Sequence, residues 1–192
     1  MNALRVLIAD DESLHLMSLR AQLRNLGYRV VGEADNGREA ADLARELKPD
    51  LAILDIRMPA MDGIDAAKQM MEEHPLPIIL LSAYSERDLA ERATNAHVSA
   101  YLMKPVSEND LLPAIALAMS RFQEFQTLHR EVDDLRESLE TRKLIERAKG
   151  ILMRRLKLSE EDAFRRLQKR SQDENKKMAE IAKAIVTADE ML

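Results

Sequence analysis

Cysteine is absent from all 192 residues. That excludes a disulfide framework, a thiolate metal site and cysteine nucleophiles, and it fits a reducing compartment. Long apolar runs are missing as well. None approaches the roughly 18 residues that a membrane span requires. The opening stretch MNALRVLIADDE turns into acidic residues rather than into a small-residue cleavage site. The expected location is therefore cytoplasmic, with no membrane partner. Tryptophan is also absent and aromatic residues make up only 3% of the chain, so a surface built on aromatic stacking has little to draw on. With only five glycines, one inside a helical pattern asks for a reason, because it costs about 1 kcal/mol relative to alanine.

The chain is rich in aliphatic and charged residues. At 46% hydrophobic it is globular, and its length accommodates one full domain plus a smaller element. The net charge of −5 hides an asymmetry. Residues 1–140 carry 15 Lys/Arg against 25 Asp/Glu, a balance of −10, whereas residues 141–192 carry 14 against 9, a balance of +5. An acidic body with a basic tail suggests a nucleic-acid or acidic-surface partner for the tail, set against the plainer reading of a solvated helical surface.

From residue 4 to about 119, short apolar runs alternate with helical patterns. LRVLIA, RVVGEA, LAILD, PIILLS and AYLM are each followed by a polar or Gly/Pro-containing turn, and segments such as 13–26 and 37–48 place apolar residues at i, i+3 and i+4. Strands with little alternation are those buried on both faces of a parallel sheet, covered by helical crossovers. The expected architecture is α/β, a doubly wound five-stranded parallel sheet made of five βα units. In such sheets the functional crevice lies beyond the carboxyl ends of the strands. Asp10 and Asp11 end the first strand, Asp55 the third, Ser82 the fourth, and Lys104-Pro105 the fifth.

Three carboxylates brought together repel one another and call for a compensating cation. A hard divalent ion suits them. Magnesium takes oxygen ligands and often needs only one or two carboxylates plus a phosphate or backbone oxygen. Asp55 is then available as a nucleophile, with Lys104 and the Ser82 hydroxyl to hold the oxygens of an incoming phosphoryl group. Any one of these residues alone reads more simply, since an Asp after a strand is commonly a helix N-cap. Their convergence changes that, together with the Pro and Gly of LDIRMPAMDG that fix the loop after Asp55.

On these residues, 1–119 resembles the receiver domain of two-component response regulators. The resemblance implies a flavodoxin-like fold, Asp55 as phosphoacceptor, and Mg2+ bound by Asp10, Asp11, Asp55 and the Arg57 backbone carbonyl. It implies Ser82 and Tyr101 as the hydroxyl and aromatic of a switch, Lys104 as the phosphoryl-stabilising lysine, and a sensor histidine kinase as partner. In the family, phosphorylation changes the surface formed by the fourth and fifth helices, a population shift between two arrangements. Packing alone is the other role open to Tyr101.

Residues 120–141 contain neither Gly nor Pro. Phe125, Leu128, Val132, Leu135 and Leu139 follow spacings of 3, 4, 3 and 4, a heptad seam. A coiled-coil linker over 120–141 is expected, with packing back onto the first domain as the alternative. Further along, Leu144, Ile145, Ala148, Ile151, Leu152 and Leu156 gather on another side of the same helix. Ser159-Glu-Glu-Asp begins a second helix containing Ala163, Phe164 and Leu167, with Phe164 assigned to the core. A third holds Met178, Ile181, Ala182 and Ile185. Residues 142–192 should form a small three-helix domain. Gly150 lies on its basic side, among Lys143, Arg147 and Arg154, with Arg142 and Lys149 nearby. There a missing Cβ lets a phosphate or base approach the backbone. Close helix packing, or a helix end at this point, would also account for the glycine.

The stretches RKLIERAKGILM, EEDAFRRLQK and NKKMAEIAKAIV resemble the ANTAR domain of AmiR/NasR-type transcription antiterminators. Ser171-Gln172 departs from the Ala-Met common in that family at the end of the second helix. The resemblance implies binding of paired RNA hairpins in nascent transcripts by a homodimer that prevents terminator formation. Lys143, Arg147, Lys149, Gly150 and Arg154 map to RNA-facing positions, with Arg stacking and phosphate contact as the expected mode. The competing classes are a DNA-binding regulator, for which no helix-turn-helix is visible, and a receiver-controlled protein adaptor. An enzymatic tail is disfavoured by the lack of a catalytic cluster, the last His being His129 in the linker.

Overall fold

The computed structural model describes residues 3–83 and 98–190. The chain divides into two compact units at Gln126/Thr127, each described by itself.

In the first unit the strands β1 (Arg5–Ala9), β2 (Arg29–Ala34), β3 (Leu51–Asp55), β4 (Ile78–Ser82) and β5 (Ala100–Met103) form one sheet in the order β2-β1-β3-β4-β5, and every pairing is parallel. The helices are α1 (Ser13–Asn25), α2 (Gly37–Leu47), α3 (Gly63–Glu73) and the beginning of α4 (Glu108–Leu156). The fourth crossover expected from the sequence falls at 84–97, outside the described residues.

The absence of alternation in the strands has a direct structural cause. All five residues of β3 and of β4 are buried, and successive side chains go to opposite faces. Leu7, Ala9, Ala52, Leu54, Ile78 and Leu80 join the core beneath α2 and α3. Val6, Ile8, Leu51, Ile53, Ile79 and Leu81 join the core on the other face, with Leu19 and Leu23 of α1 and Leu111, Ile115 and Ala118 of α4. Each of β1, β3 and β4 serves two cores, so a one-residue slip would exchange its two sets of side chains.

Local caps stop the helices where polar residues replace apolar ones. Asn36 accepts from Glu39 N to start α2, and the left-handed Lys48 ends it. Asp62 accepts from the amides of Ile64 and Asp65 to start α3.

In the second unit the remainder of α4, α5 (Glu160–Glu174) and α6 (Met178–Glu190) enclose a small core of Ala148, Ile151, Leu167, Ile181, Ala182 and Val186. Ser159 caps α5 by accepting from Asp162 N, and Asn175 closes the helix in the left-handed conformation that asparagine tolerates.

Candidate functional site

Sheet register brings the polar strand ends together. Ala9 pairs with Leu54, Asp55 with Leu81 and Ser82 with Met103, so Asp10, Asp55, Ser82 and Lys104 emerge at one edge. Asp10, Asp55 and Ser82 are buried, whereas Asp11 is exposed. Carboxylate oxygens of Asp10, Asp11 and Asp55 all lie within 4.8 Å of one another. Asp11, Asp55, Arg57, Ser82 and Lys104 line a single open cleft.

Lys104 balances much of this negative charge. Its Nζ lies 2.7 Å from Asp10 Oδ2 and 3.0 Å from Asp55 Oδ1. Burial pushes the Asp55 carboxyl above the usual Asp range; Lys104 opposes that shift, and Asp10 and Asp11 add to it. For Lys104, burial works against the charge, but hydrogen bonds to Asp10 and Asp55 outweigh it and hold the ammonium above its ordinary value. The donor set is all hard oxygen, with one carboxylate open to solvent, and so suits a small divalent cation. Tyr101 of β5 is 64% exposed and is not buried against the cleft.

His15 joins the site without a signal of its own in the sequence pattern. Its Nδ1 is 3.2 Å from Asp10 Oδ1 and 3.2 Å from Lys104 Nζ. One ring nitrogen cannot donate to the carboxylate and accept from the ammonium, so the tautomer selects between these contacts. Its position one turn into the helix that follows Asp10 and Asp11 is the one feature that could have pointed to it.

In the second unit α4 continues through Gly150 to Leu156, so no helix ends at the glycine. A Cβ added there would meet nothing within 4 Å, so tight packing does not require it either. Neither a helix end nor packing within this chain accounts for the glycine, and the space beside its backbone is open. Arg147, Gly150 and Arg154, at i, i+3 and i+7, share a face of α4, and both arginines are exposed. Lys143 is exposed and pairs with Glu140 at 2.7 Å.

Two expectations need correction. Lys149 is only 7% exposed, and its Nζ bridges Glu160 at 2.7 Å and Glu146 at 2.9 Å. Hydrogen bonds to Glu160 and Glu146 hold it above the ordinary lysine value. It ties α4 to the first turn of α5 instead of lying open on the basic face. Phe164, assigned to the core from its hydrophobicity, is 41% exposed. Ala163 and Leu167 fill the inward stripe of α5, and Phe164 lies about 100° round the helix from Ala163.

Comparison with known proteins gives these two units a common context. Residues 6–116 match the family described as the response regulator receiver domain, and residues 133–186 match the ANTAR domain. The transcriptional regulatory protein PdtaR of Mycobacterium tuberculosis is 50% identical over 182 residues, 95% of this chain and 89% of that protein. The chain is a response regulator with receiver and ANTAR domains. Among solved structures, the signal receiver domain of a modulated diguanylate cyclase from Desulfovibrio desulfuricans G20 is similar with a TM-score of 0.60 at 36% identity, covering 64% of this chain and 98% of that one. The CheX-CheY-BeF3-Mg+2 complex from Borrelia burgdorferi contains a chain similar at a TM-score of 0.56 and 26% identity, covering 58% of this chain and 86% of that one. No helix among the described residues of this response regulator is long and apolar enough to cross a membrane.

Gly63 has a specific part in shaping the response regulator's cleft. Its amide donates to Ile56 O at 2.9 Å, and a Cβ built on it would lie 2.0 Å from the Asp55 carbonyl oxygen. Backbone would have to move, because no flexible side chain stands there to yield. Gly63→Ala should displace the Asp55 loop and cost about 1–3 kcal/mol of stability. Thermal unfolding checks this; a wild-type melting temperature would contradict it.

Proposed function

We infer that Asp55 is the phosphoacceptor of a two-component pathway and that its phosphorylation by a histidine kinase controls RNA binding by the ANTAR domain, giving transcription antitermination in the cytoplasm. The observation that carries this reading is the convergence of Asp10, Asp11, Asp55, Ser82 and Lys104 at one sheet edge, in a chain whose other unit presents an arginine face around an open glycine. Asp10, Asp11, Asp55 and the Arg57 carbonyl would hold Mg2+. The ion, when bound, supplies charge neutralisation for transfer.

In the transfer itself, an Asp55 carboxylate oxygen forms the new P–O bond while the P–N bond to the donor histidine breaks. Lys104 already bridges Asp55 and Asp10, and it exchanges part of that contact for a phosphoryl oxygen. Ser82, at the rim of the same cleft, takes another oxygen through its hydroxyl. Tyr101 stands outward before transfer, and turning it inward as Ser82 moves is the proposed link to the activated state.

Output requires two RNA-binding units, one for each hairpin. Leu128, Val132, Leu135 and Leu139 are all exposed along α4, and pairing with a second copy would cover them. Paired hairpins then meet Arg147, Arg154 and the open backbone at Gly150, with Lys143 at the edge of the face. RNA recovered with the full-length protein, with and without beryllofluoride and magnesium, tests the reading. Paired hairpins upstream of terminators should be enriched only in the activated sample. Enrichment of duplex DNA, or of no nucleic acid in either state, would overturn it.

A further inference from the structure

The arginine face of α4 is not bare. Arg155 Nε lies 2.6 Å from Asp189 Oδ1, Arg154 Nη2 lies 3.8 Å from Asp189 Oδ2, and Arg147 Nη2 lies 2.8 Å from Glu190 Oε1. Both carboxylates come from the last turn of α6, which holds no basic residue. That location opposes the negative end of the helix macrodipole, so local helix chemistry does not favour acids there. What they gain is the arginines.

A carboxylate presents a guanidinium with the same kind of acceptor oxygens as a phosphate, at lower charge. Asp189 sets two such oxygens before Arg154 and Arg155, and Glu190 sets one before Arg147. We propose that Asp189 and Glu190 occupy RNA-phosphate subsites on α4, so that RNA binds by exchanging backbone phosphates for these carboxylates. This rests on the RNA-binding reading of the face, and it adds Arg155 to the residues that contact the nucleic acid.

The energetics suit an exchange. The three arginine side chains are 48–74% exposed and Glu190 is 55% exposed, while Asp189 is more covered at 24%. Pairs whose cations stay this exposed are individually weak and yield readily to a polyanion whose binding releases counterions. An RNA that places phosphates at the spacing of the carboxylates displaces both acids together. An anion that reaches only one arginine leaves the other pair intact. The acids therefore lower affinity for anions in general and leave the face selective for a correctly spaced backbone. A simpler role is also available to the same contacts, namely fastening α6 to α4, and the two roles predict different results.

The test uses the full-length protein and a pool of RNA hairpins with randomised loops, with binding followed by fluorescence anisotropy across a salt series. Asp189→Asn/Glu190→Gln should bind about fivefold more tightly than wild type at low salt, with the gain shrinking as salt rises. The control Asp173→Asn/Glu180→Gln changes the net charge equally, at exposed positions that are not the partners of Arg147, Arg154 or Arg155, and it should gain less than about twofold. Equal gains in both variants would reduce the effect to net charge and overturn the inference. So would unchanged affinity with a lowered melting temperature, which is the signature of a fastening. If wild type binds the pool and the Asp189/Glu190 variant binds identically, the exchange fails while the RNA reading stands. If neither binds under any salt condition, both fail.

Discussion

Asp55→Asn should abolish acyl-phosphate formation while leaving the receiver domain folded. The side chain is buried at the end of β3, and asparagine is close to isosteric with it, so no cavity opens. Charge is what changes. Burial holds the Asp55 carboxyl above its ordinary pKa, with Asp10 and Asp11 adding to the rise and Lys104 only partly opposing it. A carboxyl raised in the folded state binds its proton more tightly there than in the unfolded chain. Stability contributed by this group therefore falls as pH rises from the unfolded pKa through the raised folded one. At neutral pH the ionised Asp55 costs stability, and a neutral amide removes that cost. The variant should melt at or above the wild-type temperature in magnesium-free buffer while taking no label from acetyl phosphate. Retained labelling would remove Asp55 from its role. Lost labelling accompanied by a lower melting temperature would instead point to unfolding, so the two measurements together separate chemistry from stability.

How far the sequence can be read depends on whether the controlling contacts are local. The central strands β1, β3 and β4 are legible because each is a largely aliphatic run bounded by polar turns, and burial on both faces, by α1 and α4 on one side and by α2 and α3 on the other, demands that pattern. The cleft is legible because a parallel sheet sends every carboxyl end to the same edge, so sequence position alone gathers Asp10, Asp55, Ser82 and Lys104. His15 is not, since nothing about a histidine one turn into a helix declares that it will reach both Asp10 and Lys104. The same limit applies in the second unit. Lys149 looks available on a helical wheel because its partner Glu160 lies on the next helix, and Asp189 and Glu190 lie a full helix further on. Phe164 misleads for a different reason. Hydrophobicity suggests burial, but Ala163 and Leu167 already fill the inward stripe of α5, and an exposed apolar residue by itself is ordinary. For Gly150 the wheel gives the basic side, yet only the continuous helix and the open space beside it separate the three reasons a glycine could be there.

Leu135→Lys should prevent dimerisation of the activated protein and, with it, cooperative binding of paired hairpins. Leu128, Val132, Leu135 and Leu139 are 63%, 43%, 64% and 58% exposed, so the single chain gains little from them. A lysine at 135 leaves no cavity in either unit, and leucine and lysine have similar helix propensities. The folded monomer should therefore be unaffected. In a paired coil, however, each leucine is buried against its counterpart. Removing one from both chains forfeits about 1.5–3 kcal/mol per side chain, and two lysines then face one another across the seam. A loss of about 3–6 kcal/mol corresponds to roughly two to four orders of magnitude in the dimer dissociation constant. The seam spans only about two heptads, fewer than the three or four that sustain a coiled coil unaided, so dimerisation has no margin to absorb such a loss. Sedimentation equilibrium with beryllofluoride and magnesium should show a wild-type dimer and a Leu135→Lys monomer with the same helical content. A single RNA hairpin should still bind the variant at wild-type affinity, because the arginine face is intact. A variant that remains dimeric would place the subunit contact elsewhere and leave the exposed leucines without a role in assembly.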